Sequence, residues 1–211
     1  MNEFVLLLQV AWVVGASIWA AGIGREALLV LISLQAIMAN LLVLKQVYLF
    51  GLHVTCSDAF AIGSIFSLNL LQERFGLEES KRATWLCFGS MLFFALSTQI
   101  HLLYMPSKLD HMHPHYYALL MPAPRLFLAS LTSFFVVQQL DIRFYQFLRQ
   151  RWGHWRWGVR STLSLLVSQL LDTCLFTLLG LYGSVDSLPQ ILLFSYLTKV
   201  LMIGVIGIVS R

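Results

Sequence analysis

The sequence predicts an all-α fold, a polytopic integral membrane bundle of six to seven transmembrane helices. Three observations lead there. Of the 211 residues, 58% are hydrophobic and only 11% are charged, whereas a soluble domain carries about 25% charged residues. The apolar residues fall into runs of about 20, the length a helix needs to cross the hydrocarbon core. The basic residues cluster between alternate runs, which orients them.

Seven runs stand out, at 4–22, 27–50, 55–72, 83–105, 117–147, 161–183 and 187–210. The first follows Met1–Glu3 without a basic residue. "FVLLLQVAWVVGASIWAAG" therefore lacks the positive flank of a signal peptide, despite small residues in "GASIWAAG", and is expected to remain as a helix. The second run holds Asn40 and Lys45. The third is the shortest and most polar, so a broken or tilted span is expected there. In the fifth, Pro122 and Pro124 break the chain and favour a helix starting near Arg125. The seventh is continuous apart from Lys199. No connection is long enough for a soluble domain, so residues 1–211 read as one transmembrane domain.

Charge gives the orientation. With the N-terminus outside, Arg25, Arg74, Lys81, Arg82, Arg143, Arg149, Arg151, Arg156, Arg160 and Arg211 all fall on the cytoplasmic side, ten of the 14 basic residues. Lys108 alone lies in an outer loop, and the C-terminus is cytoplasmic. This is a positive-inside pattern. "RQRWGHWRWGVR" reads as an interfacial belt of tryptophan and arginine, so the net charge of +4 reports orientation and not a nucleic-acid partner. Cys56, Cys87 and Cys174 lie in separate apolar segments, as small packing residues and not as a disulfide or metal framework.

The informative residues are side chains that insertion should have excluded. A carboxylate at a helix centre costs about 2.5–3.5 kcal/mol on insertion scales. In "SQLLDTCLFTLLG", Asp172 nevertheless lies near the middle of the sixth run. Ser161, Ser164, Ser168 and Asp172 follow at spacings of three and four, one stripe with Gln169 beside it. The serines suffice as hydrogen-bonding glue between helices; Asp172 calls for more. In the third run Asp58, Asn69, Gln72 and Glu73 share a face, with Glu73 either an interfacial acid beside Arg74 or part of a site. Arg125 either snorkels outward or pairs with a carboxylate. Gln138, Gln139 and Asp141 lie deeper, and Asn40, Lys45 and Lys199 add polar groups from other helices. Acids, amides and bases on so many spans point to a shared polar cavity, hence to a transporter or membrane receptor.

The outer loop "DHMHPH" groups Asp110, His111, His113 and His115, which have metal-ligand chemistry; Pro114 and the tight spacing argue against a preformed site, and no metal is expected. No enzyme signature appears: there is no H-E-x-x-H, G-x-S-x-G or Gly-rich phosphate loop, and His101 alone of the histidines is well placed within a span.

"NLLQERFG", "PAPRLFLASLTSFFVVQQLDIRFYQFLR" and "RSTLSLLVSQLLDTCLF" resemble, in order and separation, the bacterial queuosine precursor transporters, also called the vitamin-uptake-transporter-like family. The matching positions are Arg125, Ala129, Ser130, Gln138, Asp141, Ser161, Ser168, Gln169, Asp172, Thr173 and Phe176, and the resemblance runs over roughly residues 35–205. Asn69 stands where relatives often carry aspartate, and Gln72 where many have asparagine, so the acid's role would pass to Glu73. Helix 4–22 is extra to the usual six spans, with a family-like core at about 27–210.

The resemblance implies import of a 7-deazaguanine base, a queuosine precursor or queuine, across the bacterial cytoplasmic (inner) membrane. It implies alternating access with no ATP hydrolysis and no cofactor. The partners are a nucleobase-like small molecule and the lipid bilayer, with no nucleic acid; a homo-oligomer is left open. The expected substrate-binding set is Asp172, Gln169, Glu73, Arg125 and Asp141, with Gln138, Asn69, Gln72, Asn40, Phe176 and Ser168. Asp172 or Glu73 would accept the paired N–H donors of a guanine-like edge. Gln169, Gln138 or Arg125 would donate to its carbonyl. Phe176, Phe127, Phe66 or Trp85 would supply ring faces. The alternatives are a substrate-binding subunit of an ATPase-dependent vitamin importer and a structural membrane subunit.

Overall fold

The chain is described by a computed structural model covering residues 2–42, 45–49, 52–55, 57–121 and 124–182, then 189, 192–193, 195–197, 199–200 and 203–204. Most of the seventh run, together with Cys56, Pro122 and Arg211, lies outside the described residues, as do the side chains of Arg125 and Phe127. The elements are α1 (Asn2–Ile23), α2 (Arg25–Leu42), β1 (Gln46–Leu49), β2 (Leu52–Thr55), α3 (Asp58–Phe75), α4 (Leu77–His101), α5 (His113–Leu120), α6 (Pro124–Arg151) and α7 (Trp157–Phe176). A wider π-helical turn, Thr177–Leu181, continues α7. The architecture is an all-α helical membrane bundle carrying one small hairpin.

Among the described residues, α1, α2, α4 and the run Trp157–Gly180 are long and apolar enough to cross a membrane. They present Trp12, Trp19, Phe93 and Leu178 outward, as a lipid-facing surface does. Helices α3 and α6 carry the polar side chains. Helix α3 is the axis: every residue from Ile62 to Gln72 is buried, and α1, α2, α4, α6 and α7 all pack on it. Its polarity is tolerable because protein, not lipid, surrounds it. Of the two expectations for the third span, broken or tilted, the broken one is corrected, since α3 is one continuous helix.

The second run also ends differently. Helix α2 stops at Leu42, and Gln46–Leu49 and Leu52–Thr55 pair as antiparallel strands, Val47 with Val54 and Tyr48 with His53. Eighteen residues already make a helix of about 27 Å. Beyond it, β-branched and aromatic residues around Gly51 favour a hairpin over further helix. Lys45 is accordingly an exposed residue between helix and hairpin. The Asn2 Nδ2 donates to the Tyr48 carbonyl at 3.0 Å, tying the hairpin to the start of α1. Residues 117–147 likewise divide, into α5 and an α6 that begins at Pro124 as the prolines suggest.

Two one-residue turns close the helix pairs α1–α2 and α3–α4. Gly24 (φ 147°) and Gly76 (φ 94°) adopt backbone angles that a side chain disfavours. The turns are stitched together: Arg25 Nη1 meets Glu79 Oε1 at 3.0 Å, and Arg74 Nη1 donates to the Ala21 carbonyl at 2.6 Å. Within the bundle, Ser67 donates to Ser17 at 2.8 Å and to Gln35 Oε1 at 3.2 Å, joining α1, α2 and α3.

That junction needs close approach. A Cβ at Gly63 would lie 2.2 Å from Val13 Cγ1 and 3.3 Å from the Gln35 amide. Gly63→Ala is expected to cost about 1–3 kcal/mol by overpacking, read as a lowered thermal unfolding midpoint of the detergent-purified protein; an unchanged midpoint would show that α1 and α3 pack more loosely than described.

Candidate substrate site

Three layers of polar side chains lie along the seam of α3, α6 and α7. Helix α3 sets their spacing, since Asp58 in its first turn and Glu73 near its end are about 22 Å apart at 1.5 Å per residue.

The layer at the Asp58 end of α3, called outer after the orientation expected from the charge pattern, is ionic. Asp172 on α7 accepts a hydrogen bond from Lys199 Nζ at 2.7 Å, and the same ammonium lies 3.7 Å from Asp58 Oδ1. Two carboxylates share one cation. Lys199 and Asp58 are buried, and Asp172 keeps 23% of its side chain exposed. A lysine in an apolar run requires such counter-charge.

The inner layer is ionic too. Glu73 Oε1 accepts from Arg160 Nη2 at 2.8 Å, Glu73 Oε2 accepts from the Tyr145 hydroxyl at 3.0 Å, and Arg149 Nε stands 3.8 Å away. Beside them Gln72 Nε2 donates to the Ile142 carbonyl at 3.1 Å, and Arg149 Nη1 donates to the Gln72 carbonyl at 3.1 Å.

Between these lies a layer of amides, hydroxyls and one acid. Spacings of three and four put Gln138, Asp141 and Tyr145 on the buried face of α6, and Ser161, Ser164 and Ser168 on that of α7. Ser164 and Ser168 both donate to Asp141 Oδ1, at 2.6 and 2.5 Å. Gln138 Nε2 donates to Ser64 at 3.3 Å, and its carbonyl oxygen is unpaired. Asn69 lies one turn before Gln72 on α3, and Gln169 one turn before Asp172 on α7. Both are fully buried, and among the described residues neither amide has a hydrogen-bond partner at either end. Each buried group left unpaired costs about 1–3 kcal/mol. A groove of about 380 Å³ between α6 and α7, with Arg143 and Phe144 among its walls, reaches Asp141 and Ser168 from the flank of the bundle.

The expected residues are thus brought together unequally. Asn69, Gln138, Asp141, Ser168 and Gln169 occupy the middle layer, Asp172 the outer, Glu73 and Gln72 the inner. Asp172 and Glu73 are too far apart to hold the same edge of one base. Asn40 is engaged elsewhere, accepting from Ser130 across the α2–α6 contact and donating to the Ala36 carbonyl at 3.0 Å. Phe176 ends α7, half-buried. Trp85 faces outward against Phe135, whereas Phe66 is fully buried with its ring 5.7 Å from that of Trp157. In the outer loop Asp110 accepts from the backbone N–H groups of Met112 and His113 at 2.8 and 3.1 Å; among the described residues no three His, Cys, Asp or Glu side chains gather as a metal site.

Sequence reasoning passed over Arg160 and Tyr145. Tyr145 was detectable as the residue four beyond Asp141, on the same helix face, and Arg160 as a cation directly preceding the serine stripe.

A family model described as "Putative vitamin uptake transporter" matches residues 59–209. The chain belongs to the vitamin uptake transporter family. That match takes in all three layers except Asp58. The chain is also 32% identical over 203 residues to the "Probable queuosine precursor transporter" of Bacillus subtilis (strain 168), covering 94% of this chain and 88% of that protein. No solved structure matches it. Family membership and the apolar helices make it a multi-pass membrane transporter.

The outer layer is open to test. Lys199→Met leaves Asp58 and Asp172 facing each other uncompensated and should lower stability by about 3 kcal/mol. Adding Asp172→Asn should recover part of that loss, measured by thermal unfolding of the single and double variants. Equal loss in both would mean that Lys199 does not hold the acids together.

Proposed function

We propose that this chain imports a 7-deazaguanine base, a queuosine precursor, across the bacterial cytoplasmic membrane by alternating access. The whole chain would act as one transporter domain, with its C-terminus in the cytoplasm. The observation that carries the reading is that two fully buried amides between the ionic layers, Asn69 one turn from Glu73 and Gln169 one turn from Asp172, have no hydrogen-bond partner among the described residues. An amide offers one acceptor and two donors. Together with the free carbonyl of Gln138, the two amides match the mixed donor and acceptor edges of a guanine-like base. The printed name of the relative from Bacillus subtilis agrees with that chemistry.

The layers then divide the work. Asn69, Gln138 and Gln169 bind the base, with Asp141 beside them and Phe66 near enough to offer a ring face. Lys199 with Asp58 and Asp172 closes the outer end, and Arg160 with Glu73 and Tyr145 closes the inner end. Opening one ionic layer while the other stays shut exposes the amides to one side at a time. Arg25, Arg74, Arg149 and Arg160 gather at the end that we assign to the cytoplasm.

The test is uptake of a labelled 7-deazaguanine base by cells, or by vesicles, containing this chain. Removing a polar group from a site built to pair with the substrate costs about 1–3 kcal/mol, or roughly 5- to 150-fold. Gln169→Ala and Asn69→Ala are therefore each expected to raise the half-saturating base concentration at least fivefold while membrane expression holds. Asp172→Ala is expected to slow uptake by weakening the outer closure. Absence of uptake in the parent chain would defeat the reading, and wild-type kinetics in both amide variants would move the site elsewhere.

A further inference from the structure

Among the described residues, Asp141 is the acid on the buried seam with no basic partner. Glu73 meets Arg160 and Arg149, and Asp58 and Asp172 share Lys199. Asp141 is 1% exposed, and its protein contacts are the hydroxyls of Ser164 and Ser168, both on Oδ1. Its Oδ2 has no partner.

The charged and titratable groups on the surrounding elements are committed elsewhere. On α3, Glu73 binds Arg160. On α7, Arg160 is held by Glu73 and Asp172 by Lys199. On α6 itself, Tyr145 and Arg149 turn to Glu73, while Arg143 is exposed at the wall of the groove. From α4, Cys87 is directed at the Ile32 carbonyl, 3.9 Å away, and Glu78, Glu79, Lys81 and Arg82 form their own pairs at the far end of the helix.

A carboxylate in that position would be an uncompensated charge in a low-dielectric interior, whereas the neutral acid needs only an acceptor for its O–H. Oδ1 already accepts twice, so Oδ2 is the oxygen free to carry the proton. The unpaired carbonyl of Gln138, one turn away on the same face of α6, supplies the acceptor chemistry. A sodium ion would want a shell of oxygens, often from unwound backbone, and α6 and α7 are unbroken helices on both sides of Asp141.

We propose that Asp141 is a proton-binding site, neutral while the two ionic layers are shut, so that closing the bundle takes up one proton and opening releases it. Acid then favours the closed arrangement and alkali the open one. The inference rests on the gating of the two ionic layers proposed above, and not on which molecule is carried.

Two measurements on the purified full chain test it. Infrared difference spectra at neutral pH should contain the carbonyl stretch of a protonated carboxylic acid that is lost in Asp141→Asn. Spin labels placed in a cysteine-free background should report closure at both ends: one pair at exposed Leu128 and Leu178, the other at exposed Phe147 and Val159. In the parent chain at least one pair should shorten toward acid. Asp141→Asn, which mimics the neutral acid and keeps the shape, should hold the short distances at every pH. The proposal is overturned by any of four results: no acid band in the parent chain, an unchanged band in Asp141→Asn, loss of the band on adding sodium at constant pH, or label distances in the parent chain that ignore pH at both ends.

Discussion

In hydrocarbon a polar side chain has no water to fall back on, so every such group must find another inside the protein. This chain meets that demand by placing one helix at the centre. On one side of α3, Ser67 joins Ser17 and Gln35, and Gly63 lets α1 come close enough for the contact to form. On the other side Ser64 receives Gln138, Gln72 reaches the Ile142 carbonyl and Glu73 receives Arg160 and Tyr145. The apolar helices α1, α2 and α4 can then turn tryptophan, phenylalanine and leucine outward. Membrane solvation of the whole bundle rests on α3 being enclosed.

The order of the layers follows from the same cost. Full charges are costly within the spans, so each is compensated: Lys199 lies between Asp58 and Asp172, and Glu73 meets Arg160 and Arg149. At mid-depth the groups are amides and hydroxyls, which lose less on desolvation and can pair with either a donor or an acceptor. Asp141 is the exception, softened by two serine hydroxyls but not by a cation.

Much of this was legible before any coordinates. Composition and run length give the membrane bundle, the prolines give the start of α6, and the serine stripe of α7 turns out to face Asp141. The hairpin at 46–55 was missed because its leucine, valine and phenylalanine look like the end of a span when hydrophobicity alone is counted; their alternation and Gly51 were the contrary signal. The placement of Asp172 was harder. Its spacing identified the helix face but not the neighbour, because Lys199 comes from a segment 27 residues on. One-dimensional spacing orders groups along a helix, yet says nothing about which helix stands opposite. That is why Asp172 and Glu73, both plausible partners for one base, prove to be about 20 Å apart along the bundle.

The single-glycine turns at Gly24 and Gly76 carry a mechanical consequence. A one-residue connection has no slack, so neither helix of a pair can slide past its mate by even a fraction of a turn without tearing the joint. Each pair is thereby joined as one unit, and the Arg25–Glu79 bridge ties the two units together at their closed ends.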